Sequence, residues 1–173
     1  MAKSRTREIL MCALFAALIA ISTMVIQIPS PVSGYVNLGD VFVLFGAFAL
    51  GPLYGAIAAG LGSAMADIIL GYVIYAPATL IIKSVMAICA FVVFAALKKC
   101  IKSTAIAVML AGIIAELIMV VGYFLYACLI MGEGLGAFAS VPGNLVQGAI
   151  GIIASTILVT VLINTDIFNK NRK

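Results

Sequence analysis

Apolar runs about as long as a bilayer is thick follow one another through nearly the whole of this 173-residue chain. A helix that crosses the hydrocarbon core needs about 20 mostly apolar residues. Residues 9–28 form one such run, and Pro29-Ser30-Pro31-Val32-Ser33-Gly34 then breaks the helix. Residues 38–50 are apolar but short and end at Gly51-Pro52; residues 53–70, rich in Gly and Ala, come next. Residues 71–77, with two tyrosines and a proline, read as a turn. The remaining runs are 78–97, 104–131 and 139–163, the last with Pro142 in its first turn, where proline is tolerated. Only 9% of the residues are charged and 65% are hydrophobic. A soluble domain needs roughly a quarter of its residues charged, and disordered segments are poor in apolar residues, so both classes are excluded. The expected fold is an all-α integral membrane protein, a single six-transmembrane-helix bundle over residues 1–173. A cleaved signal peptide plus five spans is the competing count. Against it, the first run is long and no A-x-A site follows.

The basic residues test the count and orient it. Lys3, Arg5 and Arg7 precede the first span, Lys98, Lys99 and Lys102 join the fourth and fifth, and Lys170, Arg172 and Lys173 follow the sixth. Six spans put all three clusters on one side. The positive-inside rule makes that side the cytoplasm, with both termini in it. The net charge of +4 thus follows topology and membrane lipid, where each basic group gains roughly 1 kcal/mol, and not nucleic acid. There is no His, and no GxxxxGK[ST] run for ATP, so no cofactor is expected. Cys12, Cys89, Cys100 and Cys128 lie far apart and read as small apolar filler, which leaves no metal site or disulfide.

A charge inside a bilayer costs ~2.5–3.5 kcal/mol on insertion scales, so Asp40, Asp67, Lys83 and Glu116 invite a functional reading. The topology puts Asp40, Asp67 and Lys83 in the outer half and Glu116 near mid-span, with Tyr123 and Tyr126 above it. Asn144 and Gln147 share one helix face at i, i+3, and Tyr35 and Asn37 lie in the first outer loop. The inner halves of the first, fourth and sixth spans are nearly pure Ala, Val, Ile, Leu and Phe. A pore needs polar lining through its full depth. One-sided polarity describes a cup open to the exterior, suited to a small, flat, polar heteroaromatic ligand. Asp40, Asp67 and Lys83 also read as an ion-pair network, Asn144 and Gln147 as inter-helix glue, and Tyr72 and Tyr75 as an interfacial belt. On the first span Ala13, Ala16, Ala17 and Ala20 form one smooth face that lets another helix approach closely.

These residues together resemble the substrate-binding S component of an energy-coupling factor (ECF) vitamin transporter. The resemblance is carried by Tyr35-Val-Asn-Leu-Gly-Asp40, by residues 46–52 (Gly-Ala-Phe-Ala-Leu-Gly-Pro) and 60–67 (Gly-Leu-Gly-Ser-Ala-Met-Ala-Asp), and by residues 75–83 (Tyr-Ala-Pro-Ala-Thr-Leu-Ile-Ile-Lys). Glu116, Gly122-Tyr123 and Pro142-Gly-Asn-Leu-Val-Gln-Gly148 complete it. The ordered set covers nearly the whole chain and is nearest the riboflavin-type branch, whose members include proteins assigned to vitamin B6 and hydroxymethylpyrimidine. The resemblance implies a multi-pass protein of the bacterial cell membrane that captures a vitamin outside. It implies docking through the alanine face onto a transmembrane coupling (T) protein bound to two ATPases, and release of the vitamin inside by ATP-driven toppling. Pro29–Asn37 would be a lid, and the ligand would be held by Glu116, Tyr123, Asn144 and Gln147, then Lys83, with Tyr35, Asn37 and Asp67 contributing. The absence of Trp departs from some thiamine-type members.

The modest aromatic count in the outer third favours a single-ring vitamin of the pyridoxine type, with riboflavin or hydroxymethylpyrimidine as alternatives. Three other classes compete. An intramembrane enzyme around Ser63 and Asp67 lacks His and a tight acid cluster; a proton-coupled carrier or channel would use Glu116; a membrane scaffold would use none of these groups.

Overall fold

In a computed structural model of the protein, residues 2–30 and 34–162 are described. They form five long helices: α1 (Ala2–Val25), α2 (Gly39–Ile69), α3 (Ala76–Leu97), α4 (Thr104–Leu125) and α5 (Val141–Leu162). Each is apolar and, alone or with the turn that adjoins it, long enough to cross a membrane. Between α1 and α2 the chain makes an antiparallel hairpin of β1 (Gln27–Pro29) and β2 (Tyr35–Asn37), with Ile28 opposite Val36. The sequence predicts helix through residue 28 and then open loop. Instead α1 stops at Val25 and the backbone of residues 27–29 pairs across the hairpin.

The second helix decides the topology. Unbroken, its 31 residues would reach about 45 Å. Gly51 interrupts it at φ 84°, ψ −178°, a conformation open essentially to glycine alone. Pro52 follows, its fixed φ and missing N–H suited to the start of a helix. An added Cβ at Gly55 would fall 2.9 Å from the Ala47 Cα, whereas in a straight helix residues 47 and 55 stand about 12 Å apart along the axis. The arms 39–50 and 52–69 therefore fold back on each other, which returns Asp67 to the end of the bundle where Asp40 begins. The two arms adjoin without an intervening loop and are numbered as one element, so five helices are counted where the sequence predicts six spans.

Smaller differences follow from local chemistry. Pro77, predicted to lie in a turn, sits in the first turn of α3. The predicted span 104–131 is α-helical only to Leu125 and continues as a wider π-helical turn, Tyr126–Ile130. The predicted loop after it is largely a 3-10 helix, Gly134–Ser140, which leads into α5.

The core is filled by Phe15, Ile19, Leu44, Phe48, Met86 and Met119, all nearly inaccessible. Between them Ala59, Ala87, Ala90, Ala111 and Ala115 are fully buried, which lets the helices approach closely where packing rather than water exclusion drives association. Leu10, Leu14, Ile81, Leu117 and Ile153 face outward, as side chains bathed in lipid can. Toward the Gly51 turn, the Cys12 thiol donates to the Tyr54 carbonyl at 3.4 Å. The basic residues at 5–7 and 98–102 belong to this end; the third predicted cluster, at 170–173, lies outside the described residues. The opposite end carries the hairpin and the buried charged and amide groups, while the buried hydroxyls of Ser155 and Thr156 lie further along α5.

Replacing Gly51 by Ala forces a side chain into a backbone region that costs about 1–3 kcal/mol. The thermal unfolding midpoint in detergent should fall, while Gly136→Ala, at a site with nothing within 4 Å, should leave it unchanged.

Candidate substrate-binding site

Helical spacing puts Tyr75, the residue that caps α3, along one face with Thr79 and Lys83 at i, i+4 and i+8. Lys83, 3% exposed, ion-pairs with the Asp40 carboxylate in the first turn of α2, itself 1% exposed. From α5, the Gln147 amide donates its Nε2 to Asp40 Oδ2 at 2.6 Å. The same amide accepts the backbone N–H of Asn37 on its Oε1 at 2.7 Å. The Asn37 side chain in turn accepts the Gly39 N–H at 2.8 Å. One side chain thus ties the hairpin to a buried ion pair, and its two ends are used in opposite senses, which fixes its orientation.

Above this layer lies a cavity. The hairpin supplies Ser30, Gly34, Tyr35 and Asn37; the walls are Asp67, Tyr75, Thr79, Tyr123, Ala127, Ser140, Asn144 and Gln147. The Tyr35 hydroxyl donates to Asp67 Oδ1 at 2.7 Å, fastening β2 to the end of α2. Burial first, and then the bond to Asp67, holds the Tyr35 phenol well above its ordinary range. It stays protonated, and the fastening persists, through neutral and moderately alkaline pH. The Tyr123 hydroxyl and Thr79 Oγ1 are 3.0 Å apart, and the Lys83 ammonium stands 5.6 Å from the Tyr123 ring centroid, within cation–π reach. The π-helical turn brings Tyr126 back so that its hydroxyl donates to the Ile74 carbonyl, as such wider turns often do near sites. The space within it is about 40 Å³, room for a few waters and well short of the ~300–1,000 Å³ of ligand pockets.

Below the layer sits Glu116, in the middle of α4 and 4% exposed. Among the described residues neither carboxylate oxygen has a hydrogen-bond donor. It packs on α5 where there is no side chain to exclude it: an added Cβ at Gly151 would lie 2.7 Å from Glu116 Oε1 and 3.1 Å from Asp40 Cβ. Asp67 Oδ2 is likewise buried without a partner. Among the described residues no three His, Cys, Asp or Glu side chains converge as a metal site would need.

The family described as ECF-type riboflavin transporter, S component, matches residues 3–164. The chain belongs to that family. A curated protein of Pyrococcus woesei, named only as an uncharacterized protein in a gap 3' region, is 36% identical over 136 residues, 78% of this chain and 87% of that one. A solved structure described as the S component of a bacterial ECF transporter superposes with a TM-score of 0.72 over 92% of this chain and 97% of that one, at 18% identity. That likeness shows the fold. The protein is therefore a multi-pass membrane protein and a vitamin-binding transport subunit rather than an enzyme. S components work with a T protein and ATPase subunits.

In this S component the predicted residues Tyr35, Asn37, Asp67, Tyr123, Asn144 and Gln147 line the cavity, whereas Lys83 and Glu116 lie beneath it. Of the predicted ion-pair network, Asp40 and Lys83 do pair, while Asp67 is bonded to Tyr35 instead. Sequence reasoning assigned Tyr75 to an interfacial belt; it is buried and lines the cavity. Thr79, Ser30 and Ser140 were missed. The signal for Thr79 and Tyr75 was the four-residue spacing leading to Lys83. On α1, Ala13 and Ala17 are exposed and Ala16 and Ala20 half-buried, with Ala16 against the core.

Breaking a buried ion pair by removing one partner costs about 3–5 kcal/mol, because a charge is left uncompensated. Lys83→Met should destabilise the S component by that order in thermal unfolding. The double variant Asp40→Asn/Lys83→Met, which leaves no bare charge, should regain most of the loss.

Proposed function

We propose that this S component captures a small heteroaromatic vitamin at the outer face of a bacterial cell membrane and passes it inward with partner subunits. The single observation that carries this reading is the one-sidedness of the bundle. A cavity with hydroxyl, amide and carboxylate walls lies at one end, and a mainly apolar core, with the buried hydroxyls of Ser155 and Thr156 but, among the described residues, no buried charge or amide, fills the rest. In this reading the arms of α2 are separate crossings, so the single domain spans six times. The basic clusters at 5–7 and 98–102 and both termini are cytoplasmic, and the cavity faces out.

The small size of the cavity, with Ser30, Gly34, Tyr35 and Asn37 in its wall, supports a lid role for Pro29–Asn37. A vitamin needs more space than the present one, and the bonds Tyr35–Asp67 and Asn37–Gln147 are those that must part for the hairpin to lift. A single-ring vitamin of the pyridoxine type suits so narrow a site. Riboflavin is the second reading, favoured by the family description. Tyr123, Asn144 and Gln147 would hold the ring, with Lys83 and Glu116 reached as the floor rearranges. Release inside would follow ATP-driven toppling by a T protein and two ATPases, docked on the alanine face of α1. A proton-coupled carrier using Glu116 is the competing mechanism. Protein-only liposomes should show little uptake in the first case and full flux in the second.

Mass spectrometry of ligand co-purified with the detergent-solubilised protein should identify the vitamin. Glu116→Gln and Asn144→Ala should each weaken its binding at least tenfold, about 1.4 kcal/mol, without loss of expression. Unchanged affinity in both removes the site. Ala17→Phe, on the exposed side of the stripe, should spare binding yet abolish uptake when partners are supplied; uptake at the wild-type rate would put the docking face elsewhere.

A further inference from the structure

Four large apolar side chains lie open just past the end of α4. Leu129, Ile130, Leu135 and Phe138 are between 57% and 79% exposed. They belong to the segment 126–140, which closes one side of the cavity with Ala127 and Ser140 and contains a single charged residue, Glu133. An exposed apolar patch of this kind marks a contact with protein or membrane. This patch continues the lipid-facing side of α4. Leu117, Val121 and Leu125 are exposed at four-residue steps, and Leu129 follows at the next step, in the π-helical turn. Phe138 lies back against the same helix, its ring centroid 4.5 Å from that of Phe124. The backbone is satisfied from within, as an apolar medium requires. The Met131 N–H donates to the Tyr126 carbonyl at 3.1 Å, that of Glu133 to Ala127 at 3.1 Å, and that of Gly136 to Glu133 at 3.0 Å. Depth agrees with this. Lys98, Lys99 and Lys102 are held at one membrane surface. About 20 residues of helix from Thr104 reach the far edge of the hydrocarbon near Tyr123, and the patch lies just beyond that edge.

We infer that residues 129–138 are an interfacial segment: their apolar side chains are seated among the headgroups and upper acyl chains of the leaflet at the cavity end, so that lipid backs the wall carrying Ala127 and Ser140. Segments of this kind bury an apolar face about 5–10 Å into that boundary. Ala127 and Ala137, both buried, face the bundle, and the four large side chains are left on the outside. A protein partner is the other cover such a patch could have. The unbroken run from Leu117, Val121 and Leu125, which are bathed in lipid, decides for the membrane. The inference does not depend on which vitamin the cavity holds.

The chain has no Trp, so a single introduced Trp reports its own surroundings. Full-length Leu135→Trp is reconstituted at low protein-to-lipid ratio in phosphatidylcholine liposomes, with and without bromine near the headgroup end of the acyl chains. Leu117→Trp, on the lipid-facing side of α4, is the reference. Brominated lipid should quench the fluorescence of Leu135→Trp at least about half as strongly as that of the reference. Weaker quenching overturns the inference. Combined with free access to acrylamide it puts the segment in water, and combined with protection from acrylamide it puts a protein over the patch. Should Leu135→Trp not fold, Leu129→Trp is measured against the same threshold. Vitamin binding is not read in this experiment, so neither result touches the function proposed above.

Discussion

A charged side chain in a membrane has only the protein to turn to, and in this fold the Lys83–Asp40 pair meets that constraint. Neither group can reach water from its position, and separating them would strand two charges in a medium that solvates neither. The pair joins the start of α2 to α3, and Gln147 adds α5 through Asp40 Oδ2. Glu116 on α4 packs beside it. Four helices thus converge on one small polar layer, and their apolar faces close around it with alanines at the contacts. The layer divides the bundle. Above it the side chains carry hydroxyls and amides; below it Phe, Leu, Met and Ala fill most of the space, with Ser155 and Thr156 among them.

That division was legible in the sequence because charge in an apolar chain is rare enough to locate by depth alone. Asp40, Asp67, Lys83 and Glu116 stood out for that reason, as did Asn144 and Gln147 at helical spacing. What the sequence could not convey was pairing. Whether Lys83 meets Asp40 or Asp67 depends on how the α2 arms are rotated about their axes, and that rotation is set by packing at contacts such as Gly55 on Ala47. The hairpin was invisible for a different reason. Gln27–Pro29 and Tyr35–Asn37 are too short to show alternation, and Pro29 argues against a strand except at an edge, which is where it sits. The π-helical turn after Leu125 leaves no compositional trace either, since it only widens a helix that is apolar throughout.

The outward-facing side chains say little about the site and much about the solvent. Leu, Ile and Val dominate them, and in lipid such faces gain nothing by association, so helices meet where residues are small. The stripe on α1 follows that rule on two sides at once. Ala16 and Ala20 lie toward the bundle and Ala13 and Ala17 away from it, so a single helix is smooth to its own core and to a neighbour. A helix with bulky residues on either side could pack in only one of these directions.

The unsatisfied groups carry the last step. Leaving a buried polar atom without a partner costs about 1–3 kcal/mol, more for a charge, and a chain selected for stability alone would place an apolar side chain at position 116. Asp67 Oδ2 and both Glu116 oxygens lack partners on either side of the polar layer, while the bonds that close the cavity, Tyr35 to Asp67 and Asn37 to Gln147, are made by the hairpin itself. A ligand entering this space must displace those bonds and replace them. One that brings donors restores what the hairpin gives up and supplies what Asp67 still lacks. One without donors would leave the Asp67 oxygen as it is now, buried and without a partner, so the cost of that burial favours a ligand that brings hydroxyl or N–H groups.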